Sequence, residues 1–270
     1  MSEPHPFLST LAATAAGWWR DVRQASAFLT RLPLPVASSG HGAAPQDVTL
    51  ANAARAFPIV GAAVGAIAAA VLLAAFWLDL HPLACALFAL AASVLVTGAL
   101  HEDGLADVAD GFGGGADVAA KLDIMRDSRV GTYGVLAVVF SIGLRAALLS
   151  GIAGPGLAAG ALIAAGAASR GVLPMIMQRL PLARAEGLAH GAGSPNAADA
   201  LTAAVLGGLL ALLFLTPSAG IAAIIAAAAA AALVAALALR QIGGHTGDVL
   251  GAAQQVTEIA VLTAVAAASA

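Results

Sequence analysis

The nineteen residues "PLACALFALAASVLVTGAL" (82–100) carry no charge, and "HEDGLADVADG" (101–111) then brings four acids within nine residues: Glu102, Asp103, Asp107 and Asp110. An uncharged run of this length suits a helix across a bilayer, which needs roughly 20 mostly apolar residues. Carboxylates at the mouth of such a segment are costly and point to function by default. Composition agrees. Of 270 residues, 60% are hydrophobic and 10% are charged, against about 25% charged in soluble domains. The chain is therefore read as all-α, a polytopic integral membrane helix bundle with about seven transmembrane helices plus an N-terminal interfacial helix. It forms a single membrane domain over 1–270.

Candidate spans are about 58–78, 83–100, 132–153, 157–178, 200–216, 219–239 and 254–270, the last with Gln255 and Glu258 near its start. The basic residues sort these spans. Arg20, Arg23, Arg31 and Arg55 precede the first; Lys121, Arg126 and Arg129 follow the second. Arg179 and Arg184 follow the fourth, and Arg240 follows the sixth. The connections near 79–82, 154–156 and 217–218 have no Lys or Arg. All ten extramembrane cations thus fall on one side, which the positive-inside rule makes cytoplasmic. The expected location is the bacterial cytoplasmic (inner) membrane, with the N-terminus inside and the C-terminus outside.

Residues 7–32 mix Trp18 and Trp19 with Arg20, Asp21, Arg23 and Arg31, a composition suited to a helix lying at the interface. Residues 36–47, "VASSGHGAAPQD", read as a polar linker. The single cysteine, Cys85, permits no intramolecular disulfide. No basic n-region leads into an h-region and a small-residue cleavage site, so a removed signal peptide is not expected. Gly61 and Gly65, and Gly156 and Gly160, sit four apart. That spacing permits close helix contact, though it is common by chance among 30 glycines.

A helix advances about 100° per residue, so Asp103, Asp107 and Asp110 fall within a sector about 60° wide, with Glu102 pointing well away. Three carboxylates on one face repel unless a cation lies between them. Hard oxygen ligands suit Mg²⁺, which commonly bridges carboxylates to substrate phosphates. The alternative, a solvated acidic loop, leaves the helical spacing and the membrane-mouth position unexplained. "GFGGG" (111–115) reads as the end of the acidic helix and a reversal, and lacks the spacing of a phosphate-binding loop. In "KLDIMRDSRVGTYG" (121–134), Arg126 and Arg129 offer guanidinium forks for phosphate, and Asp127 could orient one or add a metal ligand.

"GGHTGD" (243–248) brings His245 and Asp248 to the same side, as an acid–base pair, ligands or orienters, or simply as a glycine-rich turn. The cytoplasmic segments are thus 101–131, acidic and catalytic, and 240–253, glycine-rich. Two arginines fall inside spans. Arg170 is expected to floor a cavity beneath the acids. Arg145 is nearer the outer end, where it could snorkel outward. Together these groups equip a Mg²⁺-assisted attack on a phosphate or diphosphate.

The chain resembles the cobalamin synthase family, adenosylcobinamide-GDP ribazoletransferases. The resemblance rests on "FLTRLPLP" (28–35), "FPIVGAAVG" (57–65), "TGALHEDGLADVADG" (97–111), "IMRDSRVGTYG" (124–134), "ASRG" (168–171) and "GGHTGDVLGA" (243–252), spread over nearly the whole chain. One departure is Glu102, where the family usually has an apolar residue. The resemblance implies a Mg²⁺-dependent step in which adenosylcobinamide-GDP and α-ribazole, or its 5′-phosphate, give adenosylcobalamin, or its 5′-phosphate, plus GMP. It implies Asp103, Asp107 and Asp110 as metal ligands, and Arg126 and Arg129 as phosphate contacts, with Asp127, Arg170 and Arg31 completing the substrate-binding set. His101, His245 and Asp248 are the candidates for acid–base or positioning roles.

The lipid bilayer is an expected partner and a nucleic-acid polymer is not. A homo-oligomer, or a complex with other cobalamin-assembly enzymes, stays open. The alternatives are a CDP-alcohol phosphotransferase or a prenyltransferase-like membrane enzyme, and an ion-coupled transporter. The full D-G-x-x-A-R then G-x-x-x-D-x-x-x-D pattern of the first is absent. A transporter would place its acids near the midplane rather than past a span end.

Overall fold

The structure is a computed structural model that describes residues 6–33, 50–185 and 191–269. The expected linker at 36–47 lies outside the described residues. These are helical, with an isolated β-bridge and no strand among them. In chain order, α1 is Pro6–Leu29 and a 3₁₀ turn, η1, is Leu50–Ala56. Then come α2 Phe57–Trp77, α3 Pro82–Thr97, α4 Leu100–Gly114, α5 Val118–Ile124, α6 Thr132–Gly151, α7 Pro155–Gly171 and α8 Leu173–Arg179. The last three are α9 Ala197–Phe214, α10 Pro217–Ile242 and α11 Gly247–Ser269.

Six helices are long and apolar enough to cross a membrane, α7 and α8 counting as one, and α3 with α4 makes a bent seventh. Each expected span has a counterpart. The main shift is α11, which begins at Gly247 rather than near 254. Asp248 therefore stands in its first turn instead of in a loop.

The helix α7 is the axis of the bundle. Its "AGALIAAGAASRG" stretch is buried almost throughout, because Ala and Gly leave room for α2, α9 and α11 to close on it from several sides. Gly61 and Gly65 do meet α7: a Cβ on Gly61 would stand 2.0 Å from Gly166 O, and one on Gly65 2.4 Å from Leu162 O. The other pair divides, with Gly160 against Phe214 O at 2.4 Å and Gly156 in open space. Gly61→Leu is therefore expected to cost several kcal/mol, at or above the ~1–3 kcal/mol of ordinary overpacking. Gly156→Ala should be neutral. Recovery of monodisperse protein after detergent extraction checks both.

Large apolar side chains face outward along the spans, among them Leu201, Val205, Leu209 and Leu213 of α9, and Ile225, Leu233 and Leu237 of α10. That is the pattern of a lipid-facing surface.

One end of the bundle gathers the basic residues, α1, η1, α4 and the α10–α11 turn. There α1 lies on η1. Arg55 donates to the buried Asp21 at 2.6–2.8 Å and stacks 4.4 Å over the Trp18 ring. Ala25 and Leu29 of α1 join the core cluster that holds Ala53, Phe57 and Met177. The helix α1 is not among those fit to cross a membrane, in keeping with an interfacial position.

The decisive local feature is a 90° bend between α3 and α4. Gly98 (φ 65°) and Ala99 (φ 59°) both take the left-handed conformation, which ends α3 and turns α4 out of the span. A Cβ on Gly98 would stand 2.5 Å from Arg31 Nε, and the Arg31 N–H donates to Val96 O at 2.7 Å. The end of α1 thus clasps the bend. "GFGGG" ends α4, as its composition leads one to expect, with Gly115 as the first residue of the turn. Gly111 to Gly114 are the last turn of α4, where Gly111 and Gly113 admit Met125 and the Tyr133 ring. The chain turns at 115–117.

Candidate active site

The helix α4 carries the acids, and its glycine at 104 decides where they go. A Cβ there would stand 2.8 Å from Asp248 O and 3.2 Å from the Gly251 Cα, so α4 packs backbone to backbone on the first turns of α11. This contact brings Asp248 beside Asp103 and Asp107. The Asp107 carboxyl is pushed up to about 7, first by burial, then by Asp103, Asp248 and Asp110, with Arg184 opposing. Charges placed this closely favour the neutral acid, or a cation among them.

Asp103 and Asp248 line a cavity that encloses about 90 Å³, together with His101 and an apolar wall that includes Phe28, Leu29, Phe57, Leu173 and Met177. His101 is buried and its Nε2 has no hydrogen-bond partner. Burial first, then the charges of Arg170 and Arg145, hold its imidazole well below the usual range. A neutral ring of this kind orients a ligand better than it takes a proton.

Asp110 differs from its two neighbours. Its oxygens accept the N–H groups of Gly131 (2.6 Å) and Gly134 (2.9 Å), so it caps α6 across space and satisfies donors that a helix start leaves open. Arg126, Asp127 and Arg129 do not reach the cavity. Asp127 and Arg129 close on each other, with Arg129 87% exposed, and Arg126 stands half-exposed 3.9 Å from Asp123. That pairing lowers the Asp127 carboxyl and raises the Arg129 guanidinium. Arg31 is at the α3–α4 bend, exposed, next to the Phe28 and Leu29 wall.

His245 is buried and does not line the cavity. Its backbone bridges to 181–183, with His245 N–H donating to Pro181 O and Ala183 N–H to His245 O, both at 2.9 Å. Burial lowers its imidazole, and Nδ1 has no partner. A Cβ on Gly244 would stand 2.2 Å from Pro181 O, which accounts for one of the glycines before His245.

That bridge delivers a residue the sequence reading counted only as a topological charge. Arg184 Nη2 donates to Asp248 Oδ2 at 3.2 Å, while Nη1 is buried and unpartnered. Positive-inside charge accounted for it fully at the sequence level. Only the Gly244–Pro181 approach, a contact between distant segments, shows it over the acids.

Arg170 and Arg145 were also placed differently by the sequence. Arg170 is buried and does not line the cavity; its Nη1 donates to Gly166 O at 3.3 Å. Arg145 turns inward instead of snorkelling. It is 1% exposed, 3.3 Å from Glu102 and 3.5 Å from Glu258. Gln255 Nε2 also donates to Glu102 (3.0 Å), Ser141 to Gln255 (2.8 Å), and Gln254 to Ser169 (3.0 Å) and Glu258. Glu102, which points away from the acid face as expected, belongs to this inner network. Two carboxylates therefore lie inside the bundle: Glu258, which the sequence placed near the start of the last span, and Glu102, which it placed with the acids past a span end. Both face Arg145 across 3.3–3.5 Å, unlike an open ion path.

Fold and site together define a polytopic helical membrane protein with a carboxylate-mouthed cavity at its basic end. Comparison with known proteins is more specific: the chain belongs to the family described as cobalamin-5-phosphate synthase, whose profile matches residues 21–266. A relative in Azorhizobium caulinodans, named adenosylcobinamide-GDP ribazoletransferase, is 47% identical over 91% of this chain and 94% of its own length. Relatives of the same name in Mesorhizobium japonicum and Bradyrhizobium diazoefficiens are 49% and 46% identical, covering 90% and 92% of this chain and 91% and 93% of theirs. No solved structure matches.

Proposed function

We propose that this chain joins adenosylcobinamide-GDP to α-ribazole, or its 5′-phosphate, in a Mg²⁺-dependent transfer that yields adenosylcobalamin, or its 5′-phosphate, and GMP. The relatives' name supplies donor and acceptor. The observation that carries the metal-assisted reading is the meeting of Asp103 and Asp107 of α4 with Asp248 of α11 through the Gly104 contact. Their mutual repulsion fits a divalent cation. Among the described residues no group of three or more His, Cys, Asp or Glu is arranged to hold a metal ion by itself, so Mg²⁺ would have to take one or two of these carboxylates and complete its shell with phosphate and water.

Asp103 and Asp107 would hold the ion, with Asp110 fixing the end of their helix. Bound there, Mg²⁺ would neutralise diphosphate oxygens and stabilise the leaving phosphate. Asp248, on the cavity wall, takes the proton of the ribazole hydroxyl as its oxygen bonds to the corrinoid-linked phosphorus. The bond from that phosphorus to the bridging oxygen breaks and GMP departs. Arg184 offers its spare donors to the phosphates. The basic end faces the cytoplasm at the inner membrane, which leaves the C-terminus outside.

Purified protein given adenosylcobinamide-GDP and α-ribazole should release GMP with Mg²⁺ and not with EDTA. Release without any divalent ion would overturn the metal assignment. Arg184→Ala is expected to lower kcat/KM about 10–100-fold through the donor's KM, as loss of a charge-assisted contact does. Arg129→Ala, already paired and exposed, should change it less than about threefold. Steady-state kinetics on the two variants compare them directly.

A further inference from the structure

We propose that the cavity beside the acids seats the acceptor's base, a flat uncharged heteroaromatic ring carried on a ribose, with His101 Nε2 as the polar contact in its wall. This rests on the ribazoletransferase reading above. The wall is apolar and comes from separate elements: Phe28 and Leu29 of α1, Phe57 of α2, Leu173 and Met177 of α8. Such a surface gains by covering a ring and loses by covering a phosphate. His101 belongs to the same lining, and its buried Nε2 has no protein partner. Buried polar atoms are nearly always satisfied, so an orphan on a cavity wall marks where a ligand's polar edge arrives.

The cavity also has direction. Asp103 and Asp248 stand on the same lining. A ring among the apolar side chains would leave its ribose at the carboxylates, where the hydroxyl must meet phosphorus. The space it encloses is about 90 Å³, room for a ring and far too little for a corrin macrocycle. The donor's corrinoid then lies outside, and only its diphosphate reaches the acids.

The test separates acceptor from donor on the full chain in detergent. Equilibrium dialysis gives Kd for α-ribazole, and initial rates give KM for adenosylcobinamide-GDP. Leu173→Trp, which fills the cavity, is expected to weaken α-ribazole at least about tenfold, leaving the donor's KM within about twofold. His101→Ala should also weaken α-ribazole, and an adenine nucleoside, with more polar edge than one nitrogen can satisfy, should bind about tenfold more weakly than α-ribazole. If Leu173→Trp is not recovered folded, Met177→Ala carries the test, with a weakening of about threefold or more.

Unchanged α-ribazole binding in the recovered variants, or a change confined to the donor's KM, overturns the proposal. Because Kd is read without turnover, the two readings fail separately. Variant-sensitive α-ribazole binding without GMP release supports this site and sinks the activity. GMP release with insensitive binding does the reverse.

Discussion

Asp103→Asn and Asp107→Asn are each expected to lower GMP release by about 10³-fold, the scale that follows when one preorganised electrostatic group is lost from an active site, while the protein stays inserted and monodisperse. Asn is nearly isosteric with Asp, and neither side chain is fully buried, so packing is spared. Thermal unfolding supplies an independent reading. In EDTA, at a pH above about 7 where Asp107 is ionised, the wild type carries like charges at 103, 107 and 248 with only Arg184 opposing at Asp107. Asp107→Asn removes part of that repulsion and should unfold about 2–4 °C higher, as expected for ~1 kcal/mol in a chain of this size once partial exposure is discounted. Mg²⁺ should then raise the wild-type midpoint and move the variant's less. Normal turnover at limiting Mg²⁺, or equal Mg²⁺ shifts in both proteins, would remove these residues from the metal site.

Asp110→Asn separates function from capping. An amide still accepts a hydrogen bond with one atom, but the carboxylate serves two N–H groups of the α6 start. The main expected effect is a lower unfolding midpoint, measured beside the other two variants.

The sequence showed the spans and the acids because both are local signals. Nineteen uncharged residues before a quartet of acids, and cations confined to alternate connections, need no tertiary knowledge. The helical spacing of 103, 107 and 110 was legible for the same reason. What the sequence hid is set by contact between distant segments. Gly104 reads as one glycine among 30, yet its approach to Gly251 is what adds Asp248 to the acids. Arg126 and Arg129 resemble phosphate ligands from their spacing, but Asp127 at i−2 satisfies Arg129 locally, a competition the composition could not weigh. Arg145 was read from its distance along the span. Only the facing helices reveal two glutamates that draw it inward rather than to the surface.

Those glutamates make Arg145 the largest expected stability effect in the chain. Glu102 of α4, Glu258 of α11, Arg145 of α6 and Arg170 of α7 are all buried, and their formal charges cancel. In a lipid-facing bundle no water reaches such a group if its partner goes. Removing one member of a buried pair costs about 3–5 kcal/mol, enough to exhaust much of a domain's margin. Arg145→Met leaves Glu102 and Glu258 with Arg170 alone, a net charge of −1 in the interior. It should sharply reduce folded protein after extraction. Arg145→Met with Glu102→Gln restores neutrality and lets Gln255 keep a polar partner at position 102, so it should recover much of the yield. The double variant should regain activity less fully. Glu102 and His101 are neighbours on α4, and the network that fixes one fixes the other against the cavity. If the double variant is no better than the single, charge balance is not what Arg145 supplies, and its packing between α4, α6 and α11 is.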